Sequence, residues 1–332
     1  MNTMRVFFAG ASGAIGPPAV RELLERGHEV VAMTSSAAKA PMLAELGAEP
    51  VVADAMDPDG LTRAVRAARP DAVVNMMTRI PAKPARPSAM RATNELREGG
   101  VRHLLDAAVA AGARRFVSES FFGVYGFGPH ERPRTEDDPI GRERSRGVQA
   151  VIDAIAASEG QVRAASDEQR IEGVSLRFAA FHGPLAPNMA VMVELVRKRR
   201  LPVIGAHGAT MPTVELGDAV RAVAAALERA PAGRVYNVVD DEPVAMDDYL
   251  AELARVVGAP APRHVPYWLV RVAAPYMATF MGRAGVPMSN ARIADELGWR
   301  PRYPTYREAL ALLDPSVAQP PNRVRRARTL AT

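Results

Sequence analysis

The stretch Gly10-Ala11-Ser12-Gly13-Ala14-Ile15-Gly16 constrains this chain more than any other. It follows the apolar run Met4-Arg5-Val6-Phe7-Phe8-Ala9, which reads as a buried strand. It leads into Ala19–Arg26, whose apolar spacing is helical and which stops at Gly27. Strand, glycine turn and helix in that order are the context that a dinucleotide fingerprint requires. Gly10 permits the tight turn, Gly13 lets backbone approach a pyrophosphate, and Gly16 lets the helix pack close to the sheet. The N–H groups of Ala14 and Ile15, with Ser12 in the same turn, then face the phosphates. Pro17 and Pro18 fall in the first helical turn, where a missing N–H costs little.

The rest of the chain supplies what such a turn needs. Strands are expected at 29–33, 50–53, 72–77, 115–118, 174–178 and 235–239, with helices at 94–111, 148–158, 216–230 and 246–257. Successive βα units imply a parallel sheet with helices on both faces. The fold class is therefore α/β, a Rossmann-type doubly wound parallel sheet with a smaller C-terminal α/β substrate lobe. Residues 1–183 are assigned to the dinucleotide-binding domain, with 213–240 returning to it. The lobe takes 184–315, and 316–332 is a basic flexible tail around Arg323–Arg328. Arg79–Pro87, with three prolines and three cations, is a loop at the ligand edge, as is 127–147.

Composition excludes several chemistries. With no cysteine among 332 residues there is no thiolate nucleophile, disulfide or thiolate metal site, and the six histidines have no metal-ligand spacing. The net charge of +5 comes without a nucleic-acid reader motif. No apolar run approaches the roughly 18 residues of a membrane span, and no leader pattern opens the chain. A cytoplasmic protein acting on a small molecule, with no nucleic-acid or membrane partner, is expected.

The end of the second strand chooses the cofactor. An acidic residue there would bind ribose hydroxyls and repel a phosphate. Instead Thr34-Ser35-Ser36 and Lys39 stand there, which favours NADP(H) while leaving NAD(H) open. Asp54, followed by Ala55, can accept from the adenine amino group. Asn75, Met76 and Met77, with Ser118 on the next strand, end where the ligand crevice of such a sheet lies.

With these residues in place, the chain resembles the extended short-chain dehydrogenase/reductase family, also called the NAD-dependent epimerase/dehydratase family. The resemblance runs from Met4 to about Leu313. Its markers are Gly10–Gly16, Asp54, Asn94, Ala107-Ala108 before Gly112, Val124-Tyr125-Gly126, and Leu176-Arg177 before Gly183-Pro184. Leu216-Gly217-Asp218-Ala219, Tyr236-Asn237-Val238 and Glu296–Pro301 complete them. The resemblance implies an NAD(P)(H)-binding Rossmann domain, a substrate lobe and often a homodimer through the helices near 94–111 and 148–158. It also makes Asp54 the adenine contact, 75–78 the nicotinamide-side strand end, and Arg177 a structural residue behind the cofactor.

The chain departs from the family at the catalytic set, a Ser/Thr, a Tyr four residues before a Lys, and an Asn placed here at Asn94. Phe121 holds the Ser/Thr position, and the best register puts Gly141 at the Tyr and Ser145 at the Lys. A positioned general acid contributes about 10²–10⁴-fold. The remaining candidates for it are Ser120, Tyr125 and His182, the last because imidazole titrates near neutrality. The expectation is an NAD(P)H-dependent ketoreductase without the usual Tyr/Lys acid, resembling atypical family members that tailor aromatic polyketides. In those substrates a carbonyl bonded to a neighbouring phenol needs no tyrosine. The alternatives are sugar-nucleotide epimerisation or dehydration, and a non-catalytic NADP(H)-binding sensor or scaffold.

Overall fold

The computed structural model describes residues 3–81, 85–204, 210–282 and 285–313. The tail expected at 316–332 and Lys83 of the first loop lie outside the described residues. Six strands follow one another in parallel: β1 (Arg5–Ala9), β2 (Glu29–Thr34), β3 (Glu49–Val52), β4 (Ala72–Asn75), β5 (Arg115–Phe121) and β6 (Glu172–Phe178). Between them run α1 (Gly16–Glu25), α2 (Ala40–Glu45), α3 (Pro58–Ala68), α4 (Arg91–Glu95), α5 (Val101–Ala110) and α6 (Arg146–Asp167).

The chain then leaves the sheet for β7 (Ala180–His182), α7 (Met189–Arg197), β8 (Val203–Ile204), β9 (Thr210–Met211) and β10 (Thr213–Glu215). It returns through α8 (Leu216–Arg229) to β11 (Arg234–Val238), which pairs in parallel with β6. The sheet order is β3-β2-β1-β4-β5-β6-β11, so the winding reverses between β1 and β4. That reversal opens a crevice at the carboxyl ends of the strands. The lobe is completed by β12 (Val244–Ala245), α9 (Met246–Val256), β13 (His264–Val265), α10 (Tyr267–Ala273), α11 (Pro275–Gly282), α12 (Ala291–Leu297) and α13 (Tyr306–Ala311). Its strands form three short pairs, β7 with β10, β9 with β12 and β8 with β13.

A parallel central strand is buried on both faces and so needs no polar alternation. In β1, Val6 and Phe8 join the core under α1 and α8 with Val20, Leu23 and Val223, whereas Phe7 and Ala9 join the opposite core with Val65 and Leu104. Helix α1 approaches this strand closely because Gly16 has no side chain: a Cβ there would lie 2.2 Å from the carbonyl oxygen of Ala11.

Two helices differ from the sequence pattern. The segment expected as one helix over 94–111 begins at Arg91 and is interrupted by a π turn at Leu96–Gly100. Gly99 and Gly100 leave room for the wider turn; a Cβ at Gly100 would come 3.1 Å from the side chain of Leu96. Helix α6 runs to Asp167 rather than 158, passing through Gly160. Tertiary contacts override the glycine, since Val162 and Ala165 are buried in the core and Glu159 pairs with Arg177 of β6.

That pair is buried, with both side chains 6% exposed, and its bonds are 2.7 Å and 2.8 Å long. Removing one member of a buried pair strands the other charge, at a cost of about 3–5 kcal/mol. Glu159→Ala should therefore lower the unfolding free energy by that amount, read as a shift of the urea midpoint at unchanged slope.

Candidate active site

The carboxyl ends of β1 to β4 line a groove of about 240 Å³. Gly10, Ser12 and Gly13 form its floor, Thr34, Ser35 and Lys39 one wall, and Asp54 and Ala55 its far end. Met76, Met77, Thr78 and Arg79 follow β4, and Leu96 leans in from the π turn. Gly10 takes φ +86°, and a Cβ there would sit 2.6 Å from the carbonyl oxygen of Met76. The strand ends meet at that point because Gly10 interposes no side chain. Among the described residues no acceptor takes the N–H of Ala14 or Ile15, which stand at the start of α1. A turn of this shape, with unpaired N–H groups at a helix start, fits a pyrophosphate.

The wall at β2 is polar. Ser12 Oγ and Thr34 Oγ1 are 2.8 Å apart, and Lys39 Nζ donates to the carbonyl of Ser12 at 3.4 Å while staying exposed. Ser36 is half-buried and outside the groove lining, its N–H donating to Thr34 Oγ1. Asp54 accepts from the N–H of Met56 and lies 3.6 Å from the Arg79 guanidinium. Asn75 and Ser118, expected to line the cofactor site, lie beneath it instead. Both are buried, Asn75 Nδ2 donates to Ser118 Oγ at 3.0 Å, and Asn75 Oδ1 accepts from Met77 N–H. They fix the strand ends rather than face the groove.

The acid candidates are removed from the crevice by their partners, which corrects the expectation at three positions. Ser120 is 1% exposed and its hydroxyl donates to Glu159 Oε1 at 2.5 Å. The Tyr125 hydroxyl donates to Asn237 Oδ1 at 2.7 Å and accepts from Arg177 Nη1 at 2.8 Å. Burial pushes its pKa up to about 12, against an opposing pull from Arg177. His182 belongs to β7 inside the lobe, 2% exposed, with Nε2 held at 2.8 Å from Asp240 Oδ2 and its ring edge-on to Tyr249. Asn94 ties two helices together, donating from Nδ2 to the carbonyl of Ala150 on α6.

Gly141 and Ser145 stand where the expected register puts the family's Tyr and Lys. Gly141 donates its N–H to Val124, and a Cβ on it would lie 2.2 Å from the carbonyl of Tyr125. No side chain of any kind fits there. Ser145 is exposed at the start of α6, and Phe121 packs against Phe122 with ring centroids 4.3 Å apart. Among the described residues no group of three His, Asp or Glu could hold a metal ion, and no helix is long and apolar enough to cross a membrane.

A seven-stranded parallel sheet with a glycine turn at its switch point defines a dinucleotide-binding fold. The chain belongs to the NAD dependent epimerase/dehydratase family, whose pattern it matches over residues 6–239. It is 36% identical to a 3-diazoavenalumate denitrifying reductase of a Streptomyces species, over 92% of this chain and 99% of that one. It is 30% identical to a 2-alkyl-3-oxoalkanoate reductase of Stenotrophomonas maltophilia, over 77% of each. Among solved structures it is similar to the UDP-glucose 4-epimerase of Thermus thermophilus in complex with NAD, with a TM-score of 0.76 and 26% identity over 93% of this chain and 97% of that one. The chain is an oxidoreductase with a nicotinamide cofactor, and Gly10, Ser12, Gly13, Thr34, Ser35, Lys39 and Asp54 line the groove at the strand ends.

Sequence reasoning left Arg79 and Leu96 out of the groove lining. Arg79 lies in a loop already recognised as basic, so its charge was a usable signal. Leu96 had none, because its place depends on the π turn.

Tyr125 yields a pH test with a definite sign. Its folded pKa, about 12, exceeds the ordinary 10.0, so its contribution is intact below pH 10 and is lost as pH rises towards 12. Tyr125→Phe should flatten the alkaline fall in unfolding free energy across that window, measured by urea titration at successive pH values.

Proposed function

We propose that this chain is an NADPH-dependent reductase of a small aromatic carboxylate, whose electrophile takes hydride without a proton from a protein side chain. The observation that carries this reading is the closed backbone at Gly141, together with the engagement of Ser120 and Tyr125 in buried bonds. Bound NADPH would supply the hydride. The protein's part is to orient the pair and exclude water, which the crevice between sheet and lobe can do without an acid.

Two electrophiles suit such a site. An aryldiazonium plus one hydride balances as arene plus dinitrogen, with no proton consumed. A ketone needs one hydride and one proton, and a phenol bonded to its oxygen supplies the latter. The relative named for a diazo substrate favours the first over most of both chains. The relative named for a 3-oxoalkanoate favours carbonyl reduction, the reading that extends to aromatic polyketides. Both relatives are named for carboxylate substrates. Epimerisation or dehydration of a sugar nucleotide is disfavoured, since each needs an acid–base group at the positions described. A preference for NADPH rests on Thr34, Ser35 and Lys39 at the end of β2, with no carboxylate among them.

NADPH oxidation is to be followed with diazo-cinnamates, hydroxy-anthraquinone ketones, 3-oxo acids and sugar nucleotides, with dinitrogen release read by mass spectrometry. Turnover on the diazo or phenol-flanked substrates is expected. Turnover confined to sugar nucleotides, or tight NADPH binding with no turnover at all, would overturn the reading. Lys39→Ala should weaken NADPH about tenfold while leaving NADH nearly unchanged, roughly the loss of one charged contact; equal weakening of both would remove the phosphate assignment.

A further inference from the structure

Two of the three guanidinium nitrogens of Arg97 are engaged. Nε donates to Glu119 Oε1 at 3.0 Å, and Nη2 to Glu119 Oε2 at 3.3 Å. Nη1 is buried and has no partner among the described residues, on a side chain only 3% exposed. Most arginines avoid this by leaving the head group in water. Here the two-pronged bond to Glu119 fixes the guanidinium plane, and with it the direction of Nη1. An unpaired N–H held in place by a buried carboxylate is a donor prepared for an acceptor that folding does not supply.

Three elements meet around this side chain. The π turn carries Arg97 one residue after Leu96, which lines the cofactor groove. Single π turns inside helices are frequent at functional sites, and the wider turn re-aims the side chains that follow. Glu119 is near the carboxyl end of β5, the edge where the sheet presents its ligands. From the lobe comes Tyr276 of α11, 5% exposed, whose hydroxyl bonds to no acceptor among the described residues. Burial raises the pKa of that phenol and the charge of Arg97 lowers it, so the two side chains share one field.

We propose that Arg97 Nη1, steered by Glu119, receives the carboxylate of the substrate at the inner end of the crevice. This rests on the reading above that the substrate is an aromatic carboxylate, and it names the residue that selects it. Because the Arg97–Glu119 pair is neutral as a whole, the gain comes from one directed N–H rather than from net charge. Discrimination between an acid and its ester should accordingly be about tenfold or somewhat more.

The test is calorimetric titration of the full chain, saturated with NADP⁺, with 4-hydroxycinnamate, its methyl ester and 4-methoxycinnamate. Both acids should bind at least about tenfold tighter than the ester. Arg97→Gln should bring the acids to the level of the ester with NADP⁺ affinity unchanged. Since that variant strands Glu119, Arg97→Gln/Glu119→Gln, which removes both charges, should show the same loss at a melting temperature close to the parent's. Equal binding of acid and ester to the parent, no binding of any of the three, or an acid preference that survives Arg97→Gln would overturn the proposal. Binding that follows the phenol rather than the carboxylate would overturn it too, by assigning Nη1 to a phenolate. An intact acid preference without NADPH oxidation on any aromatic electrophile would sink the reductase reading alone. Turnover without acid preference would sink only the role of Arg97.

Discussion

The Glu159–Arg177 ion pair is the interaction on which the carboxyl half of the sheet depends. Two charges can be buried together only if their remaining donors and acceptors are met. Here Glu159 Oε1 takes both Arg177 Nε and the Ser120 hydroxyl, and Arg177 Nη1 donates to Tyr125, which donates in turn to Asn237. One run of bonds therefore joins α6, β6, β5, the turn after β5, and β11. Asn237 extends it, its amide donating to the carbonyls of Arg134 and Ser289, so the long loop after the turn is held by the same network. The hydroxyls of Ser120 and Tyr125, both candidate acids, are structural members of this run. Stability and acid catalysis draw on the same groups, and the fold holds them.

The parallel sheet and the glycine turn were legible because their signals are local. Buried runs such as Val6–Ala9 announce a strand within five residues, and Gly13 and Gly16 answer to contacts made by near neighbours, as Gly16 does to Ala11. The order of strands follows from short right-handed crossovers. The groove residues at the ends of β1 and β2 share this property, since the position of Thr34, Ser35 and Lys39 is set by where β2 stops.

What escaped the sequence was decided by distant partners. Nothing near Ser120 shows that Glu159, 39 residues on, will take its hydroxyl, or that Asp240, 58 residues beyond His182, will hold that imidazole inside the lobe. Gly160 reads as a helix stop in isolation, yet α6 continues because its last turns cover the sheet. Arg97 was hidden by phase. A regular helix over 94–111 would put it elsewhere around the axis, and only the π turn at Leu96–Gly100 brings it against Glu119. Departures from regular geometry are a common place for function to sit, and for pattern reading to fail.

The missing acid is a property of the whole loop rather than of one residue. Gly141 lies against the carbonyl of Tyr125 and donates to Val124, while Glu143 accepts the N–H of Phe127 and takes its own N–H bond to Gln149 of α6. A tyrosine at 141 would need the loop to lift from the turn and break these bonds together, so Gly141→Tyr with Ser145→Lys would disturb the fold before it supplied a proton. A general acid is worth roughly 3–5 kcal/mol of barrier. A site built this way leaves that amount to the electrophile, and under the proposed function the electrophile can provide it: a diazonium needs no proton, and a phenol-flanked ketone brings one. Binding then carries what acid catalysis would have done, which is why a fixed and unpaired donor such as Arg97 Nη1 matters more here than in a site with its own tyrosine.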